Sequence, residues 1–133
     1  MAYIRFVSPW PSDIRAVDYG IFQAVIRCRD ETLLDGYLLN PLINHFEWFK
    51  QKLPSPHESY FEFAGHALGI CWFRDDAKTM IRHARHMAAL MAQGDIWITE
   101  IVSNNPGMIL YEDEFQIIAK PNKKTPTQWG SNH

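Results

Sequence analysis

Residues 67–102 read ALGICWFRDDAKTMIRHARHMAALMAQGDIWITEIV, and this stretch decides the fold. Ala67 through Phe73 is apolar at both parities, the pattern of a strand covered on both faces, and predicts a central strand. Ala77, Met80, Ile81, Ala84, Met87, Ala88 and Met91 then recur at i, i+3, i+4 and i+7. That spacing predicts an amphipathic helix, capped by Asp75 or Asp76 and stopped at Gly94. Ile96 to Val102 returns to strand character. Strand, helix and strand in this order predict a right-handed β-α-β crossover between parallel strands.

Downstream, Pro106-Gly107 reads as a turn. Met108–Glu112 and Phe115–Lys120 read as two strands joined through Asp113 and Glu114, although the Asn-Gly or Asp-Gly pair typical of tight hairpins is missing. Upstream, Tyr3 to Ser8 is β-branched and aromatic and predicts an edge strand ended by Pro9. From Asp18 onward, Ile21, Phe22, Val25 and Cys28 fall at helical spacing. Asn40 before Pro41 has the form of a cap followed by proline in the first helical position. It predicts a second helix running to about Leu53, with Leu42, Phe46, Phe49 and Leu53 as its apolar stripe and Trp48 off it. The fold class is therefore α+β: two N-terminal helices, then a β-α-β-β-β unit forming a small mixed sheet. Residues 1–121 are expected to form a single domain and 122–133 a flexible polar tail.

Composition narrows the possible functions. The 133 residues are 47% hydrophobic and 21% charged, close to a globular average. A net charge of −2 and a pI near 6.3 argue against nucleic acid and against an anionic membrane. No apolar run approaches the roughly 20 residues that span a bilayer, and the start lacks the pattern of a signal peptide, so a cytoplasmic location is expected. Cys28 and Cys71 sit in apolar surroundings without close-spaced metal or redox partners, which favours reduced, packed thiols.

Pro106-Gly107-Met108-Ile109-Leu110, followed by Tyr111-Glu112-Asp113-Glu114, Gln116, Ile117-Ile118-Ala119 and Pro121, resembles the ending of a family of small stand-alone bacterial proteins with no assigned activity. The Trp72-Phe73 strand with Arg74-Asp75-Asp76-Ala77, the stretch Asp18 to Gln23, and Glu47-Trp48-Phe49 with Leu53-Pro54 extend the resemblance over most of the chain. It implies a bacterial single-domain protein and brings no catalytic residue with it.

Three groups of residues are candidates for function. Lys78, Arg82, His83, Arg85 and His86 crowd the polar face of the central helix, either as a solvated face or as a patch for phosphate or an acidic protein; Arg74 at the strand end adds to the second reading. Glu112 and Glu114, if both extended, would project to one side about 7 Å apart, as a carboxylate pair or as a solvated turn. Aromatics make up 14% of the chain. Trp10, Trp48, Trp97 and Trp129 serve either as core or as interface anchors. His83 and His86 stand at i, i+3, and His57 and His66 precede the central strand, but no carboxylate or thiol completes a metal-ligand spacing. His45-Phe46-Glu47 imitates the H-x-E of zinc deaminases without the P-C-x-x-C partner. Phosphate loops, nucleophile elbows and dinucleotide fingerprints are absent, so neither a cofactor nor a metal is expected and no residue can be assigned as catalytic.

These observations lead to a small cytosolic binding or regulatory module of the inhibitor or immunity type, with a protein partner and a homodimer as a further possibility. The alternative is a small enzyme or ligand-binding protein for a phosphorylated compound. It requires Arg74, Arg82 and Arg85 to meet Glu112 or Glu114 in one cleft.

Overall fold

The computed structural model describes residues 1–11, 18–56 and 69–126. Its elements are β1 (Tyr3–Pro11), β2 (Asp18–Gly20), α1 (Ile21–Asp30), α2 (Gly36–Lys52), β3 (Ile70–Arg74), α3 (Lys78–Gln93), β4 (Thr99–Ser103), β5 (Met108–Glu112) and β6 (Gln116–Lys120). The class is α+β, with a strand rather than a helix leading the chain. β1, β3, β6 and β5 lie side by side, β2 joins one edge of β1, and β4 pairs with β1 as well.

The sheet expected to be mixed is antiparallel at every pairing among the described residues. β3 and β4 do run parallel to one another, but β1 lies between them: Tyr3 and Ile4 pair with Phe73 and Arg74, while Tyr3 to Val7 pair with Thr99 to Ser103. The crossover is thus a split one, and each of its strands gains an antiparallel neighbour, whose straight hydrogen bonds are somewhat stronger than slanted parallel ones. β1 is consequently an inner strand, not an edge. Pro9 and Pro11 are tolerated because they fall where the register with β2 shifts, beyond the Tyr3–Val7 ladder to β4.

The three described helices cover one face. Ile4, Phe6 and Phe73 from the sheet pack with Ile21, Val25 and Cys28 of α1, Leu42, Phe46 and Phe49 of α2, and Met80, Ile81, Ala84, Met87 and Met91 of α3. The apolar positions of α1 and α3 are those that the helical spacing selects. On the other face, Val7, Ile70, Trp72, Ile101, Ile117 and Ala119 form a second cluster. This accounts for β3 being apolar at both parities: Trp72 and Phe73 point to opposite clusters, and both are buried.

Helix boundaries differ from the expectation in three places. Asp18–Gly20 is a strand because Gly20 pairs with Val7 before the helix begins. α2 starts at Gly36, a turn before Asn40, and holds Pro41 inside it. The Leu39 N–H already donates to the Asp35 carbonyl at 2.9 Å, and Leu38 is buried in the core. Burying a leucine stabilises by about 1.5–3 kcal/mol, which offsets most of the roughly 3 kcal/mol that an interior proline costs. The residue before α3 is Ala77, with no side-chain cap. The carboxylates expected there are engaged elsewhere: Asp75 accepts from the Ala2 N–H at 3.2 Å, and Asp76 holds Arg74.

Candidate functional site

The polar face of α3 carries Arg82, Arg85 and His86 exposed to solvent, with His83 half-buried. Arg85 forks onto Glu100 of β4, its Nε and Nη2 donating to the two carboxylate oxygens at 2.8 and 2.9 Å. The planar fork matches the carboxylate. Both groups remain solvated, however, so the pair contributes only about 0–1 kcal/mol; its consequence is to join the outer face of α3 to β4. Val102, two residues beyond Glu100 and therefore on the same side of the strand, is 55% exposed, and Trp97 in the α3–β4 connection is 63% exposed. The fork and Val102 thus share the helix side of β4, while Ile96 and Ile98, the neighbours of Trp97, pack into the helix-side core.

Arg74 lies elsewhere. Its register opposite Tyr3 puts it on the sheet face of Trp72, away from the helices. There its Nε and Nη2 donate to Asp76 and its Nη1 donates to Glu112, each at 3.2 Å. Glu112 pairs with Ile117 and shares that face. Glu114 belongs to the turn after β5, not to extended backbone, so it does not form the one-sided pair with Glu112. Instead it lines a shallow cleft of about 290 Å³ at the start of α3, with Asp76, Lys78, Thr79 and Phe115. Arg74 with Glu112 and Arg82 with Arg85 are thus held on two different sides of the sheet.

The hairpin is organised by two residues that the spacing of charges does not reveal. Asp113 accepts from the backbone N–H of Phe115 (2.8 Å) and Gln116 (3.1 Å) through one oxygen, and from the Tyr111 hydroxyl (2.7 Å) and Gln116 Nε2 (3.0 Å) through the other. Partial burial opposes its ionisation, but these donors outweigh it and hold the carboxyl below its ordinary value. Gln116 is buried; its Nε2 also donates to the Pro54 carbonyl at 2.8 Å, and its Oε1 accepts from the Cys71 thiol at 3.0 Å. One amide therefore ties the exit of α2, strand β3 and the hairpin turn. Burial pushes the Cys71 thiol up to about 12, leaving it a hydrogen-bond donor rather than a nucleophile. Both cysteines are free. The sequence signal for this hub is an Asp three positions before the return strand, able to accept from the N–H two residues on as in an Asx turn.

A second unforeseen group lies between α2 and α3. His45 Nδ1 and His83 Nδ1 are 2.9 Å apart, and Trp48 stacks on the His83 ring with centroids 3.6 Å apart and planes 12° from parallel. His86 approaches His45 with ring centroids at 5.5 Å. Desolvation lowers both His45 and His83 from the ordinary 6.5, and neighbouring basic groups act in the same direction: His86 on His45, and His45, Arg82 and His86 on His83. The position of Trp48 off the apolar stripe is explained by this stack. Of the other tryptophans, Trp10 lies under the Arg27 guanidinium at 4.3 Å. Trp129, His57 and His66 fall outside the described residues.

Among the described residues no group of three or more His, Cys, Asp or Glu is placed to hold a metal ion, and no helix is long and apolar enough to cross a membrane. Compared with known protein-family models, curated proteins and solved structures, the chain matches none.

Proposed function

We propose that this chain is a small cytosolic bacterial module, of the inhibitor or immunity type, that holds a protein partner on the surface shared by α3 and β4. The observation behind it is the exposure of Val102 beside the Arg85–Glu100 fork, with Trp97 exposed in the connection that leads into β4. Tryptophan and arginine are the residues most often found at the energetic centre of interfaces. An exposed apolar side chain next to a geometrically fixed ion pair supplies both contact area and register. Arg82 and His86 extend the same surface along α3.

The reading for a phosphorylated ligand has less support. Arg74 and Arg85 are each engaged by this chain's own carboxylates, and they lie on different sides of the sheet. A phosphate would have to displace those carboxylates at two separated places.

The test compares wild type with two variants, Trp97→Ala and the double change Arg82→Glu with Arg85→Glu, as baits in a lysate of the native host, with native mass spectrometry of what is retained. A protein partner held by wild type and lost by both variants, at nearly unchanged melting temperature, supports the proposal. A partner retained equally by both would overturn the α3–β4 surface. A discrete small-molecule adduct would favour the phosphorylated-ligand reading, and a dimer mass without another chain would favour self-association.

A further inference from the structure

His45 and His83 meet nitrogen to nitrogen across the α2–α3 contact. A 2.9 Å Nδ1···Nδ1 approach is a hydrogen bond only if one ring carries its proton on Nδ1 and the other presents a bare Nδ1, with its own proton on Nε2. The two rings must therefore hold different tautomers. The first additional proton can settle on Nε2 of the donor ring, leaving the bond intact and charge-assisted. A second proton has only the accepting Nδ1 to occupy. It would then place two N–H groups head to head, on two cations.

Among the described residues, no carboxylate is paired with either ring to relieve that second charge. Among the described residues, the other basic groups acting on the pair are Arg82 and His86 of α3. On α2, Glu47 is occupied by Lys50 at 3.3 Å. Among the described residues, aromatic rings also border the pair: Trp48 stacks on His83, and the Phe49 ring centroid lies 6.1 Å from His83 and 5.9 Å from Phe73 of β3.

We propose that His45 and His83 form a one-proton clasp between α2 and α3, which holds while the pair carries at most one extra proton and opens when both rings are charged. The clasp gives the packing of α2 on α3 a dependence on pH in the range where histidine titrates. The clasp requires no partner on the outer face of α3, although Arg82 and His86 border both. The sign follows from linkage: the unfolded chain takes up protons on these rings near 6.5 and the folded pair only at lower pH. The contribution of the clasp to stability is therefore complete above about 6.5 and is lost progressively as pH falls toward the folded values.

The experiment is a histidine-selective NMR titration of the whole chain, with long-range ¹H–¹⁵N spectra at neutral pH, on wild type and on His83→Phe, a change that keeps a ring against Trp48. Urea denaturation at pH 7.5 and 5.5 accompanies it. The expected result is one Nδ1–H and one Nε2–H tautomer for the pair, with both midpoints below 6.5. Wild type should lose more stability than the variant between the two pH values. Identical tautomers, with His45 and His83 titrating independently near 6.5, would overturn the clasp, and this is read on wild type alone even if the variant fails to fold. So would an equal loss of stability in wild type and variant.

Discussion

Replacing Gln116 by glutamate changes one atom of a buried side chain and should be among the costliest conservative substitutions in this protein. The amide nitrogen donates to the Pro54 carbonyl at 2.8 Å and to the Asp113 carboxylate at 3.0 Å. An oxygen in its place faces two acceptors at hydrogen-bond distance, and one of them is ionised. Gln116→Leu provides the reference. It removes the same bonds, but Pro54 is exposed and its carbonyl can hydrate, and Asp113 keeps its two backbone donors and the Tyr111 hydroxyl. Its cost should lie near 1–2 kcal/mol, that of a partly compensated polar deletion, written as about 1.5 kcal/mol for comparison. Gln116→Glu should cost about 3 kcal/mol or more at neutral pH, because it buries an uncompensated charge next to a second carboxylate. The introduced acid must be harder to ionise in the folded state than in the unfolded one. The excess cost is therefore absent below the unfolded value of about 4.3 and grows as pH rises above it. Urea denaturation at pH 5 and pH 7.5 measures both effects. If the two variants are equally stable at pH 7.5, or if the gap between them does not widen with pH, the hub does not work as described.

Two further outcomes follow from backbone and charge at the same hairpin. Gly107 has φ +100°, and a Cβ there would run into the Lys120 carbonyl and the Pro121 backbone, so Gly107→Ala should cost about 2 kcal/mol or more and lower the melting temperature by roughly 5 °C or more, read by calorimetry. An unchanged melting temperature would mean that the turn can rearrange. Because the folded carboxyl of Asp113 is held below its ordinary 3.8, its stabilisation is complete above that value and is lost as pH falls through the folded value. Wild type should therefore lose its advantage over Asp113→Asn as pH falls below about 4, and parallel acid unfolding curves would contradict this.

Local pattern carried much of this architecture. The period of Met80, Ile81, Ala84, Met87 and Met91 defines α3 because a helix packing one face on a core must repeat its apolar residues every three or four positions. The doubly apolar run through Trp72 and Phe73 marks an inner strand for the analogous reason. The C-terminal hairpin is legible in the same way, and its turn falls at Asp113 and Glu114 as the chain suggests. The start of α2 was hidden because the Asn40-Pro41 pair imitates a helix beginning, and only the burial of Leu38 in the assembled core extends the helix past it.

Strand order and side-chain meetings belong to the tertiary structure. Nothing local in Tyr3–Val7 states that these residues lie between β3 and β4, since hydrogen bonding along a strand edge is indifferent to how far away in sequence the partner lies. The same holds for the candidate surface. Arg85 is visible in the sequence as a cation on a helix face, but its closure onto Glu100 depends on β4 returning beside α3. His45 and His83 are 38 positions apart and become a pair only because α2 packs on α3. Periodicity determines which face of each element is buried, because burial is a property of one element against an average interior. Which particular side chains then touch is a property of two elements at once, and it is decided only when the core is closed.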